Sequence, residues 1–133
     1  MTVGTPPGTG PALVDGAWLN GLAGGQNETY QSGITASGST QAGAFQLAPG
    51  IAIYEIDTAT SAQGVALPEA VAGTELSIYN NTAQTNLVVY PAIANNALTG
   101  AQDTINNTTS LAFTAARQIL FFACPKNGVW AGK

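Results

Sequence analysis

The chain has 133 residues, long enough for one domain with a single core, and only ten of them are charged (three Lys or Arg, seven Asp or Glu). None is histidine, the one side chain that titrates unperturbed near neutral pH, so a Ser-His-Asp hydrolase is excluded and an enzyme is not expected. A net charge of −4, with dispersed Arg117, Lys126 and Lys133 as the only cations, excludes the basic patch that nucleic-acid binding needs.

Residues 1–11 are dominated by Gly, Pro and Thr, and Pro6, Pro7 and Pro11 predict an extended arm. Leu13, Val14, Trp18, Leu19 and Leu22 fall loosely at helical spacing, with Asp15 as a cap. Any helix there is short, because Gly16 and Gly21 weaken it and Gly24-Gly25 ends it. The N-terminus lacks the basic patch and apolar core of a signal peptide. No stretch approaches the roughly 20 apolar residues of a membrane span. The division expected is a Gly/Pro-rich N-terminal arm over residues 1–25 and a β-domain over 26–133.

Residues 26–43 are polar and rich in Gly, Ser and Thr, which predicts a loop or a ragged edge strand. From Ala44 onward short β-prone runs alternate with turn residues. Strands are expected at 44–47, closed by Pro49-Gly50, at 51–57 and at 64–67, closed by Pro68. Residues 74–79 alternate cleanly, and Asn80-Asn81-Thr82-Ala83 reads as a turn returning 87–90 as a hairpin partner. Further strands are expected at 103–105, 110–114 and 117–123, and Asn127-Gly128 makes a turn before Val129-Trp130. The lone Cys124 follows an apolar run and reads as a small buried hydrophobe; it excludes an intramolecular disulfide. The fold class is all-β: an antiparallel β-sandwich or jelly roll with an irregular N-terminal arm.

Chemistry-bearing motifs are sparse. The segment Gly21-Leu22-Ala23-Gly24-Gly25 lacks the lysine of a phosphate-binding loop. Glu55 and Asp57, two apart on a strand, share a face; they read as a solvated strand end or a cation contact before they read as a catalytic pair. No Asp-x-Asp-x-Asp-Gly calcium loop is present, so neither a metal nor another cofactor is expected. Trp18, Trp130, Tyr30, Tyr54, Tyr79 and Tyr90 offer material for a carbohydrate platform, although Tyr79 and Tyr90 suit cross-strand neighbours that stabilise a sheet.

The segment 64–81 runs through Leu67-Pro68, Ala72-Gly73 and Asn80-Asn81, followed by Leu87-Val88-Val89-Tyr90-Pro91. With Asp103-Thr104-Ile105-Asn106, the strand 119–123 and the closing Gly128-Val129-Trp130, it resembles small virion structural proteins of tailed bacteriophages. The resemblance covers about half the chain, residues 60 to 131. It implies a non-enzymatic homotrimer on the outer capsid surface, a decoration or cement protein that bridges capsomers of the major capsid protein. The alternative is a receptor-binding or adhesion module of a head or tail fibre. Neither nucleic acid nor membrane is an expected partner. Leu13, Trp18, Leu19 and Leu22 are the candidate partner-interface residues, either anchoring the arm on a neighbour or folding back onto their own domain.

Overall fold

A computed structural model describes residues 29–133. The candidate interface residues Leu13, Trp18, Leu19 and Leu22, the expected short helix and the domain boundary at 25/26 lie outside the described residues.

The fold is all-β. Its strands are β1 (Tyr30–Thr35), β2 (Phe45–Gln46), β3 (Ile53–Thr58), β4 (Gly64–Ala66), β5 (Glu75–Asn80), β6 (Val88–Tyr90), β7 (Thr104–Ile105), β8 (Leu111–Ala112), β9 (Ile119–Lys126) and β10 (Val129–Gly132). They form a six-stranded sheet in the order β1-β3-β5-β9-β10-β7 and a four-stranded sheet in the order β2-β4-β6-β8. Each expected strand therefore has a counterpart, and the ragged segment before Ala44 contains the edge strand β1.

Connectivity departs from the antiparallel expectation. The first six strands alternate between the sheets, so that β1, β3 and β5 stack in parallel in one and β2, β4 and β6 in parallel in the other. The chain winds through three stacked coils in a solenoid-like arrangement. Antiparallel pairing between strands enters afterwards, where β8 returns along β6, β9 along β5 and β10 along β9. The expected hairpin of 74–79 with 87–90 is not formed: β5 and β6 belong to different sheets, and Tyr79 and Tyr90 are not strand neighbours. The reason is local. Asn80 is fully buried, and its Oδ1 accepts from the Thr82 N–H (3.0 Å) and hydroxyl (2.7 Å). Its Nδ2 donates to the Gln84 carbonyl at 2.8 Å, which sets a wide corner that carries the chain across to the second sheet.

Both sheets feed one buried cluster. Tyr54, Ile56, Ile78, Leu120, Phe122 and Trp130 come from the first, and Val65 and Val89 from the second. Trp130 meets Phe122 edge-on, with centroids 6.4 Å apart and planes at 86°. Gly64 allows the second sheet to close, since a Cβ there would lie 2.7 Å from a Tyr90 ring carbon and 2.8 Å from the Val88 carbonyl oxygen. The Asn127-Gly128 turn forms as expected between β9 and β10, with Gly128 at φ +88°.

Polar side chains fasten the loops to this frame. Asp103 accepts from the Ala70 N–H and from Asn96 Nδ2, each at 2.8 Å, and that same amide reaches the Ala70 carbonyl at 2.9 Å. Gln46 Nε2 donates to the Leu67 carbonyl (2.8 Å), while its Oε1 accepts from the Ile93 N–H (3.0 Å). Side-chain amides and one carboxylate hold these corners in place.

Candidate binding face

The strands of the six-stranded sheet alternate inward and outward, so residues two apart share a face. Register puts Ile53, Ser77 and Phe121 in one outward row and Glu55, Tyr79 and Ile119 in the next. The inward partners Tyr54, Ile78 and Leu120 are buried, whereas Phe121 is 56 % and Ile119 46 % exposed. Around these side chains lies a groove of about 720 Å³, floored by Ile53, Tyr79, Ile119, Phe121 and Ala123, with Glu75 and Lys133 also on its lining. An apolar strip of this kind on a rigid sheet is what a protein surface presents to a partner.

A polar cluster adjoins the strip. Tyr30 donates its hydroxyl to Glu55, and the Gly33 N–H donates to Asp57 at 2.5 Å. Asn81 Nδ2 donates to both carboxylates, at 3.0 Å to Glu55 and 2.8 Å to Asp57. Arg117 Nη1 donates to the Asn81 backbone and side-chain carbonyl oxygens, at 2.7 and 2.8 Å. Those bonds hold Arg117 at φ +59° in the turn before β9. Hydrogen bonding with Asp57 pushes Glu55 above the usual carboxylate range, desolvation and the Asp57 charge adding to it and the Asn81 amide opposing it. The same hydrogen bond, with those from Asn81 and Gly33, lowers Asp57. Both carboxylates are thus tied to the β1–β3 edge.

The aromatic residues separate into two populations. Trp130 and Tyr54 are fully buried, which removes them from any carbohydrate platform. Burial also pushes the Tyr54 phenol upward, and its hydroxyl donates to the Ala48 carbonyl. The Tyr90 hydroxyl donates to the Ser39 carbonyl at 3.1 Å. Tyr79 lines the groove, and Tyr30 is 55 % exposed at the sheet edge. Cys124 is buried as expected; burial raises its thiol, which donates to the Lys126 carbonyl at 3.0 Å.

Sequence reasoning missed Ile119 and Phe121 as surface residues. Their signal was the unbroken run Ile119-Leu120-Phe121-Phe122-Ala123, which makes both faces of one strand apolar when the core needs only one. Among the described residues no group of three or more His, Cys, Asp or Glu side chains is placed to hold a metal ion, and no helix is long and apolar enough to cross a membrane. No family model matches the chain, and no match is found among curated proteins or solved structures.

Proposed function

We propose that the protein is a non-enzymatic structural component of a bacteriophage virion, a capsid decoration protein that seats on the outer shell and bridges capsomers. The observation that supports this reading best is the apolar outward face of the six-stranded sheet, with Ile119 and Phe121 about half exposed over a groove of about 720 Å³. Pressed against a neighbouring subunit, that face removes apolar area from water at about 25 cal/mol per Å², without bringing like charges together. In this reading the two sheets are the layers of a β-sandwich, and three copies assemble around a capsomer junction. The partners are the major capsid protein and the chain itself.

Counting copies by mass spectrometry of density-banded particles tests the assignment. Hundreds of copies per particle support a cement protein, and absence from particles overturns it. Light scattering during size-exclusion chromatography tests the trimer. Phe121→Ser is expected to leave the fold intact and to lower retention on particles at least about tenfold, the loss of a central apolar anchor.

A second reading, a receptor-binding module of a fibre, is favoured by one specific feature. Tyr30, Glu55, Asp57, Asn81 and Arg117 set hydrogen-bonding groups beside an apolar strip, the mixture that sugar rings require. A few tens of copies per particle, together with binding to bacterial surface glycans, supports it over the first.

A further inference from the structure

The outward face of the six-stranded sheet has two unlike halves, divided by the line between β5 and β9. The Phe121 and Lys133 backbones exchange hydrogen bonds at 2.8 and 3.0 Å, so Ile53, Ser77, Phe121 and Lys133 form one row across the sheet. Glu55, Tyr79 and Ile119 make the row on one side of it, and Glu75, Ala123 and Ala131 the row on the other. Large Phe121 therefore stands beside small Ser77, and Lys133 borders the β10 side while Glu55 borders the β3 side. A two-fold axis lying along the strands, between β5 and β9, exchanges β5 with β9 and β3 with β10 at unchanged height. A second copy placed by that axis sets Phe121 against Ser77 and Ile119 against Tyr79. It also brings Lys133 over the partner copy's β3 at the height of Ile53. Glu55 is one row away there, and Glu75 is its diagonal neighbour. With rows about 7 Å and strands about 4.8 Å apart, a lysine side chain spans either offset.

We propose that this face pairs with a second copy of the chain about that two-fold axis, Phe121 of each copy seated over Ser77 of the other. A contact between identical faces requires one surface to carry both halves of the complement, and this one does. It offers a large apolar side chain beside a small residue, and a cation on one border with acids on the other. The two Glu75 carboxylates come near each other at one end of the contact, where the two Lys133 side chains offset them. Facing sheets cross at about 30°, so the named residues meet as neighbours within a row of this register. The inference rests on the proposed function only in taking the apolar face as an interface. It names the occupant of that face, and it stands or falls separately from any place on a virion.

The test is sedimentation velocity on the full chain over about 1–100 μM. Expected is a concentration-dependent passage to a species of two chains, or of six where a trimer forms through another surface. Phe121→Arg is expected to weaken that step at least about tenfold. Leu98→Arg, at an exposed apolar residue outside the groove, is expected to leave it unchanged. Charge exchange supplies a second readout. Lys133→Glu and Glu75→Lys are each expected to pair poorly alone, and mixing the two is expected to restore association as heterodimers in native mass spectrometry. A monomer or a lone trimer at every concentration overturns the proposal, as does a dimer indifferent to Phe121→Arg or a mixture that associates no better than its components. A monomer that binds capsid shells through Phe121 also overturns it, while leaving the decoration reading in place. Absence of the protein from particles, with pairing intact, removes that reading and leaves this one.

Discussion

The two ends of the strand stack are finished in different ways. At the far end the chain reverses: β8 and β9 run antiparallel against β6 and β5 of the last coil, β10 returns along β9, and Phe122 and Trp130 fill the core there. At the near end β1 and β2 are edges among the described residues, and the inward column of Val89, Val65 and Phe45 stops at the half-covered Phe45. A stack of parallel coils satisfies its own backbone everywhere except at its ends, so each end needs its own solution. Here reversal supplies one of them. Stability is accordingly expected to fall from the sealed end toward the open one, and substitutions placed along the stack measure that gradient.

The largest effect belongs to the sealed end. Trp130 is fully buried and meets Phe122 edge-on. Trp130→Ala is expected to lose about 3–5 kcal/mol, read from the midpoint of a urea titration. Its Nε1 has no hydrogen-bond partner among the described residues, so Trp130→Phe removes a buried orphan donor and is expected to lose clearly less than Trp130→Ala. Equal losses from the two variants would show that the indole's bulk is not what seals this end.

Asp103 comes next. It stands just before β7 and holds the Ala70 N–H and the Asn96 amide, both buried. Asp103→Ala leaves the Ala70 N–H without an acceptor and the Asn96 amide with only the Ala70 carbonyl, and is expected to lose about 2–3 kcal/mol. The faster hydrogen exchange that follows should centre on residues 94–105 and on Ala70.

In the middle of the stack, Gly64→Ala forces a Cβ into the Val88 carbonyl and the Tyr90 ring. A loss of about 1–3 kcal/mol is expected, the scale of overpacking against backbone that cannot give way. A neutral outcome would mean that β4 and β6 separate easily, against the close approach of the second sheet.

Much of this was legible beforehand, and what escaped has a physical explanation. Strand positions followed from the alternation at 74–79 and from turn residues such as Asn127-Gly128, because both are local properties. Direction did not follow. A short alternating run has the same pattern in parallel and antiparallel pairs, and the corner at Asn80 that decides it depends on contacts to Thr82 and Gln84 that close only in the folded chain. The stacking of coils left a faint trace, proline soon after each of the three parallel second-sheet strands β2, β4 and β6, at Pro49, Pro68 and Pro91. For the candidate site, the apolar run at 119–123 was visible, but its exposed half was not. Which face of a doubly apolar strand is covered depends on what else packs there, and in this fold the second sheet covers only the inner one.

The smallest effect lies at the open end and depends on pH. Glu55 is held above the usual carboxylate range by its hydrogen bond with Asp57, so its contribution is complete at low pH and is lost as pH rises through its raised value. Asp57 is held below its usual value, so its contribution is present above that value and is lost as pH falls through the lowered one. The edge that Tyr30 and Gly33 make with β3 is therefore tightest in the acidic interval between the two, where the pair carries one proton. Glu55→Gln puts an amide donor where that proton stood and keeps it there at every pH. The variant is expected to retain protection of the Gly33 amide as pH rises through the raised Glu55 value, where the unmodified chain loosens. The change is a few-fold at most, because water screens the exposed carboxylates. Exchange at Gly33, corrected for its intrinsic pH dependence and followed beside an amide of β9, reads this directly. Loosening of both amides together would place the pH sensitivity in the whole fold, whereas loosening at Gly33 alone assigns it to the carboxylate pair at the open edge.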